Sequence, residues 1–266
     1  MRFYKYQGLG NDYIYIDCFH EKTPEDPPEL SRKLSRRCFS VGSDGLILIE
    51  KSDIADAKMR IFNADGSEAE MCGNGIRCVG KALWDLKLTD KTDLRIETGS
   101  GIKRVRLIFE KNRASGASVD MGKAVISDPI TLNACGRDIT LYPVDTGNPH
   151  AAVFTDDLAD GYFEAAGPYL SSHPVFPEGA NIEFIKVINN GGISVRVWER
   201  GSGPTLACGT GACAAAFASV KVLKLDNSLN VSLPGGDLRI TINDDDTIEM
   251  NGTATFVYKG ETDDEQ

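Results

Sequence analysis

Short apolar runs bounded by polar turns recur along the chain and predict strands. The first strands are predicted at 46–49 and 59–62, and similar ones at 182–185 and 193–198. Further strands are predicted at 94–97, 102–109, 117–121, 238–242 and 247–250. The apolar period becomes helical from Ile76 to Trp84 and from Ala212 to Leu223, and a shorter helix is predicted near 29–38. The pattern is typical of an α+β protein.

The predicted elements belong to an internal repeat. The segment Arg60-Ile61-Phe62-Asn63 matches Arg196-Val197-Trp198-Glu199. Nine residues after each segment, Cys72-Gly73-Asn74-Gly75 matches Cys208-Gly209-Thr210-Gly211. We also match Gly10-Asn11 to Gly147-Asn148, and Gly42-Ser43-Asp44 to Gly179-Ala180-Asn181. We therefore predict two pseudo-twofold-related domains, 1–115 with 253–266 and 116–252. Each is expected to be a mainly antiparallel sheet around a central helix, with an active-site cleft between the two.

Composition narrows the classes of function. The chain has 266 residues, a net charge of −10 and 41% hydrophobic residues. Nucleic acids and anionic membranes attract basic surfaces, so neither is expected as a partner. The start of the chain lacks the apolar core of a signal peptide, and no apolar run is long enough to cross a bilayer. We therefore expect a cytoplasmic protein.

The seven cysteines suggest neither a disulfide framework nor a zinc site. Their number is odd and no Cys-x-x-Cys pair occurs, so no metal site is predicted. We expect five of them to be buried, reduced thiols that behave as small hydrophobic residues, namely Cys18, Cys38, Cys78, Cys135 and Cys213. Cys72 and Cys208 remain as candidates for a chemical role.

Both remaining cysteines precede a glycine-rich helix start, a position that favours a reactive thiol. The unpaired N–H groups and the helix dipole ease ionisation of a thiol and can bind a carboxylate. Two such bases on opposite sides suit inversion at the α-carbon of an amino acid, one removing a proton and the other supplying one. His150 is the best candidate partner for a thiol. Glu199 occupies the repeat position of Asn63, although a Glu-Arg pair by itself is typical of a surface.

Several longer blocks then identify a family. They are Gly8 to Asp12, Asn63 to Gly75, Gly147 to His150, Trp198 to Gly201 and Thr205 to Cys213. In this order and over nearly the whole chain they resemble diaminopimelate epimerase. The resemblance implies a two-domain fold and no cofactor. It also implies conversion of LL-diaminopimelate to the meso isomer, for lysine and peptidoglycan-precursor synthesis.

The resemblance also implies roles for individual residues. Cys72 and Cys208 are the acid/base pair, with His150 as partner of the first thiol and Glu199 of the second. Gly73, Asn74, Gly209 and Thr210 hold the α-carboxylate. The rest of the substrate is gripped by Asn11, Asn63, Asn148, Asn181, Glu199 and Arg200. Gly45 is a departure from the family pattern, since some members have Gln there.

Two other functions remain open on the sequence. Proline racemases and hydroxyproline epimerases resemble this fold and chemistry, but they usually carry His at the position of Asn74 and have no need for Arg200. A catalytically inactive binding protein is the second alternative, although both cysteines and both partners are present. The expected partner is the small molecule diaminopimelate. The oligomeric state is left open, with a homodimer as one candidate.

Overall fold

The computed structural model describes residues 1–262 and divides the chain into two compact units. The first comprises Met1–Val119 and the segment that begins at Gly252, and the second comprises Asp120–Asn251. The sequence-based boundaries lie at 115/116 and 252/253. Residues 263–266 of the predicted first domain lie outside the described residues.

The described residues of the first unit form two helices, α1 (Pro27–Ser35) and α2 (Gly73–Asp85). Its strands are β1 (Arg2–Gly8), β2 (Asn11–Asp17), β3 (Gly45–Glu50), β4 (Ala57–Asn63), β5 (Glu68–Ala69), β6 (Asp93–Thr98), β7 (Gly101–Glu110), β8 (Arg113–Lys123) and β19 (Thr255–Glu261). The last four residues of β8 belong to the second unit. The main sheet has the order β19-β1-β2-β3-β4-β6-β7-β8. Its neighbours are antiparallel except β2–β3 and β4–β6. Helix α2 is buried from Gly73 to Leu83, and it packs against strands β1, β2 and β7.

The second unit contains α3 (Asp160–Ser171) and α4 (Gly209–Leu223). Its strands are β9 (Val125–Ile126), β10 (Ile130–Ala134), β11 (Arg137–Asp145), β12 (Pro149–Phe154), β13 (Asn181–Asn189), β14 (Gly192–Glu199), β15 (Gly203–Pro204), β16 (Ser228–Leu233), β17 (Gly236–Ile242) and β18 (Thr247–Thr253). The sheet order is β10-β11-β12-β13-β14-β16-β17-β18, with parallel pairs only at β12–β13 and β14–β16. Helix α4 is the buried helix of this unit, and α3 packs on the other face of β13.

The two sheets have the same order and the same two parallel pairs, and each encloses one buried helix. The prediction of an α+β fold with two similar, mainly antiparallel halves is confirmed. One residue match within the predicted repeat was wrong. Tyr13 pairs with Gly45 and His150 pairs with Asn181, so the counterpart of Asn181 is Gly45 and not Asp44. Strand pairing decides this, because a shift of one residue would turn every side chain to the other face.

The prediction for the minor cysteines was wrong in part. Cys78 and Cys213 are buried, but Cys18 is half-buried and Cys38 and Cys135 are exposed. Cys38 and Cys135 adopt positive φ angles of 68° and 53° in turns. Turns lie at the surface because a buried turn would leave backbone groups without partners. The predicted helix near 29–38 also ends earlier, at Ser35.

The sequence did not predict helix α3, nor strands β1, β2, β5, β9 to β12, β15, β16 and β19. In the described chain, none of the helices combines the length and the apolar character that crossing a membrane would require.

Candidate active site

Cys72 is the N-cap residue of α2. Its backbone is extended (φ −139°, ψ 117°), and its Sγ accepts a hydrogen bond from the Gly75 N–H at 3.3 Å. The thiol therefore takes the place that a Ser or Asp side chain has at many helix starts. The helix begins at Gly73, directly after Cys72, as the glycine-rich helix start predicted. The half-buried sulfur lies where the N–H groups of that turn stabilise negative charge.

The strand beside Cys72 contributes two polar contacts. The Cys72 thiol donates to Asn11 Oδ1 at 3.4 Å, and the Asn11 amide donates to Asp44 at 2.8 Å. The Tyr13 hydroxyl also forms a hydrogen bond with Cys72. Burial raises the pKa of Tyr13 well above its ordinary value, and the nearby thiol and Asp44 raise it further. The phenol therefore stays neutral and can donate to a thiolate.

Arg77 is a fully buried cation one turn into α2. Its guanidinium donates to the Gly73 carbonyl at 3.1 Å, to Asn74 Oδ1 at 2.9 Å and to the Thr253 carbonyl at 3.2 Å. These bonds hold the carbonyl of Gly73 and the side chain of Asn74 on the inner side of the turn. Two residues predicted to bind the α-carboxylate are thus fixed by a charge that the sequence analysis had not singled out.

Cys208 repeats this geometry at the start of α4. Its backbone angles are −116° and 118°, and its Sγ accepts from the Gly211 N–H at 3.4 Å. Thr210 Oγ1 lies 3.5 Å from the same sulfur. Unlike Cys72, Cys208 is buried, with 8% of its surface exposed. Burial and the negative charge of Glu199 raise the pKa of this thiol well above its ordinary value, so Cys208 is protonated at neutral pH.

Glu199 ends β14 and is held in place by a hydroxyl group. Thr205 donates to Glu199 Oε1 at 2.5 Å, across the short turn that leads to Cys208. Glu199 also acts electrostatically on Cys208, its predicted partner, and both residues lie in the second unit.

His150 lies in a buried network on β12 and β13. Its Nδ1 is 2.6 Å from Glu183 Oε1, and its Nε2 is 3.1 Å from Asn148 Oδ1. The His150 and Glu183 side chains are both inaccessible to solvent. Asn148, half-buried, also accepts from Thr146 Oγ1 at 3.3 Å. In the sequence Glu183 is an ordinary residue of a predicted strand, and nothing in the local pattern indicates that it faces a histidine.

The other predicted substrate-binding residues have backbone or local partners. Asn181 accepts from the Arg200 N–H at 2.9 Å and donates to the Pro149 carbonyl at 3.3 Å. The exposed Arg200 guanidinium donates to the Glu178 carbonyl at 2.7 Å. In the first unit, the half-buried Asn63 donates to Ser67 Oγ at 3.0 Å.

The predicted site residues offer thiols, a carboxylate and one imidazole. Among residues 1–262, no three or more His, Cys, Asp or Glu side chains are grouped as metal ligands. Gly45, where some relatives of the predicted family carry Gln, has no room for a side chain, because a Cβ there would lie 2.2 Å from the Phe62 carbonyl oxygen.

Comparison with known proteins gives matches over nearly the whole chain. The family model for diaminopimelate epimerase matches residues 3–127 and 142–257. A protein of Agathobacter rectalis named diaminopimelate epimerase is 46% identical and covers 99% of both chains. Among solved structures, a phenazine biosynthesis protein of the PhzF family from Bacillus anthracis has a TM-score of 0.77 at 20% identity, over 98% of both chains. A probable proline racemase from Agrobacterium radiobacter K84 has a TM-score of 0.76 at 14% identity, over 99% of this chain and 93% of the other. At these identities the two structures show a shared fold only.

Proposed function

Because this chain belongs to the diaminopimelate epimerase family, we propose that it converts LL-diaminopimelate to the meso isomer by two-base proton transfer at the α-carbon. It is an epimerase, and hence an isomerase. The resemblance noted in the sequence is thereby confirmed. The reaction needs no organic cofactor in this proposal, and it serves the synthesis of lysine and of peptidoglycan precursors.

One observation carries the mechanism: each unit places a cysteine sulfur at the N-cap of its buried helix. Cys72 and Cys208 both accept from the N–H three residues later. Inversion needs one proton transfer on each face of the carbon, and the duplicated unit supplies one thiol for each. The raised pKa of Cys208 makes it the acid at neutral pH, and we assign the base on the other face to Cys72 once its thiol has lost its proton.

The same helix starts would stabilise the charge that develops when the α-proton leaves. That charge spreads onto the α-carboxylate, and N–H groups of a helix N-terminus bind such an anion without reorganising. We assign this role to Gly73 and Asn74 on α2 and to Gly209 and Thr210 on α4. Asn11, Asn63, Asn148, Asn181, Glu199 and Arg200 would bind the remainder of the substrate, including its second amino-acid head. We assign His150 to Cys72 and Glu199 to Cys208 as proton partners.

Substrate identity is tested by following chirality. The purified protein is incubated with LL-diaminopimelate or with L-proline, and the stereoisomers are separated and quantified. We expect rapid formation of meso-diaminopimelate and no D-proline. Racemisation of proline without action on diaminopimelate would favour the proline racemase alternative, and inactivity on both would favour a binding protein.

The two-base route is tested by isotope incorporation in deuterated water. The proton delivered to the product comes from a thiol that exchanges with solvent. Early product should therefore carry deuterium at the inverted carbon, while unreacted substrate should still carry protium. Mass spectrometry of each stereoisomer at low conversion measures this. Substantial protium in early product would indicate a single base that serves both faces.

A further inference from the structure

Arg77 is a cation in an unfavourable place. Its side chain is 0% exposed, although arginine is rarely buried, and it lies four residues after the start of α2. The guanidinium reaches back to the first turn of this helix, where the helix dipole is positive, so both burial and the dipole disfavour it. The equivalent residue of α4 is Cys213, which is also fully buried. The fold of a unit therefore does not require a cation at this position.

The guanidinium of Arg77 meets three segments of the first unit. Along α2 it donates to the Gly73 carbonyl at 3.1 Å and to Asn74 Oδ1 at 2.9 Å. It also donates to the Thr253 carbonyl at 3.2 Å, shortly before β19. At the end of β1, a Cβ added to Gly8 would lie 3.1 Å from Arg77 Nη2 and 3.4 Å from the Asn74 carbonyl oxygen. The first turn of α2 is thus tied to the segment before β19 and packs against the end of β1.

Three different nitrogens of Arg77 make these hydrogen bonds. Nε donates to Thr253, Nη1 to Gly73 and Nη2 to Asn74. A planar guanidinium holds acceptors in fixed directions, whereas a lysine ammonium is a compact point charge. Since Asn74 Oδ1 accepts from Arg77, the amide nitrogen of Asn74 is turned away from the guanidinium. That nitrogen is a donor, which is the kind of group that a carboxylate requires.

We propose that Arg77 is a positioning residue of the epimerase, whose buried guanidinium fixes the first turn of α2 and adds positive charge to it. This inference rests on the proposed role of Gly73 and Asn74 in holding the α-carboxylate. Donors stabilise a developing negative charge best when they are already in place as the α-proton leaves. The three bonds of Arg77 meet that condition, and a charge inside the protein acts on an anion more strongly than one in water. A bound carboxylate would also offset the unfavourable placement of Arg77.

Kinetic measurements separate the directed bonds of Arg77 from its charge. Arg77→Lys keeps the charge without the fork, and Arg77→Gln removes the charge but keeps one donor. Both should lower kcat on LL-diaminopimelate by about 10- to 100-fold, less than the loss of a donor that touches the anion itself. KM should rise in Arg77→Gln only, because the charge also attracts the carboxylate of the ground state.

Lys81→Gln is the matched control for these variants. Lys81 is a second buried cation on α2, which donates to the Ala114 carbonyl at 2.6 Å and forms an ion pair with Asp85 at 2.9 Å. It lies one turn further from the helix start than Arg77. Its replacement should leave kcat and KM unchanged.

Alkylation of Cys72 gives a readout that is independent of turnover. Iodoacetate carries a carboxylate and iodoacetamide is neutral, but both react with the thiolate, so the ratio of their rates does not depend on how much thiol is ionised. Peptide mass spectrometry measures this ratio at Cys72 and, as an internal reference, at the exposed Cys135. At Cys72 the ratio of iodoacetate to iodoacetamide labelling should fall about 3- to 10-fold in Arg77→Gln and stay unchanged in Arg77→Lys and Lys81→Gln. At Cys135 it should be the same in all proteins.

The outcomes are read on variants that circular dichroism shows to be folded. Wild-type kcat in Arg77→Lys would overturn the positioning role, and an unchanged labelling ratio in Arg77→Gln would overturn the role of the charge. If Arg77→Gln does not fold, Arg77→Met replaces it as the neutral variant. The proposed function fails in a different way, when the wild type forms no meso-diaminopimelate. The labelling ratio at Cys72 would then still report whether Arg77 attracts a carboxylate to the start of α2.

Discussion

The two units hold their cysteines in the same way but surround them with different charges. Both sulfurs cap a buried helix, with backbone angles that differ by little more than 20°. At equivalent positions the first unit has Ile47, Asn63 and Arg77 where the second has Glu183, Glu199 and Cys213. A buried cation therefore follows Cys72, whereas two carboxyl groups lie near Cys208. The comparison indicates that the shared helix start sets where each thiol lies, and that the charged groups around the helix start differ between the two units.

The largest effect should come from removing either sulfur. Cys72→Ala or Cys208→Ala should each lower kcat by about 10²- to 10⁴-fold, because inversion needs both faces served. The measurement is initial rate on LL-diaminopimelate, with circular dichroism to check folding. Cys213→Ala, also on α4 but away from its N-cap, should stay within a few-fold of wild type. Near-normal turnover in Cys208→Ala would break the proposed equivalence of the two halves.

A smaller effect is expected at Arg200, whose counterpart in the repeat is Ala64. Arg200→Lys should reduce kcat/KM for diaminopimelate about 10- to 100-fold, since a point charge cannot replace a planar, forked donor to a carboxylate. Arg137→Lys changes an exposed arginine of the same unit and serves as the control. If both variants kept wild-type kcat/KM, Arg200 would not bind the second amino-acid head of diaminopimelate.

The effect of the nearby carboxyl groups can be measured through the pKa of the Cys208 thiol. Glu199 raises the pKa of this thiol, so Glu199→Gln should lower that pKa and increase the thiolate fraction at a given pH. Alkylation of Cys208 by iodoacetamide, followed by peptide mass spectrometry across pH, should show a midpoint shifted to lower pH and a several-fold faster reaction near neutrality. Glu164→Gln, an exposed carboxylate on α3, should not change the midpoint. An unshifted midpoint in Glu199→Gln would contradict the conclusion that Glu199 raises the pKa of Cys208.

The smallest effect concerns the glycine that donates to each sulfur. A Cβ at Gly75 would lie 2.8 Å from the flexible end of Ile47, and one at Gly211 2.9 Å from Glu183 Oε1, which His150 holds. Alanine favours a helix over glycine by about 1 kcal/mol. Gly75→Ala should therefore change the free energy of unfolding little, while Gly211→Ala should be less stable than Gly75→Ala by about 1 kcal/mol or more. Urea denaturation measures both, and equal values would mean that Glu183 moves as freely as Ile47.

The sequence alone determined the architecture and the two thiols. The repeat, with Cys72 and Cys208 at equivalent places, indicated a duplicated α+β fold, because similar segments with the same apolar period form the same elements. The strands at 46–49 and 182–185 and the helices after Cys72 and Cys208 were predicted for the same reason. These features depend on neighbours along the chain, and a local pattern is enough to reveal them.

Only the tertiary structure decided which charges face each thiol. His150 and Glu183 are 33 residues apart and meet because β12 and β13 pair in parallel. Arg77 reaches the Thr253 carbonyl, 176 residues away, and Tyr13 meets Cys72 through the packing of β2 on α2. In the sequence, Glu183 lies in a predicted strand and Arg77 in a predicted helix, and neither position indicates a buried charge. A side chain's protonation depends on burial and on the charges within a few ångströms, and those neighbours exist only once distant segments have packed together.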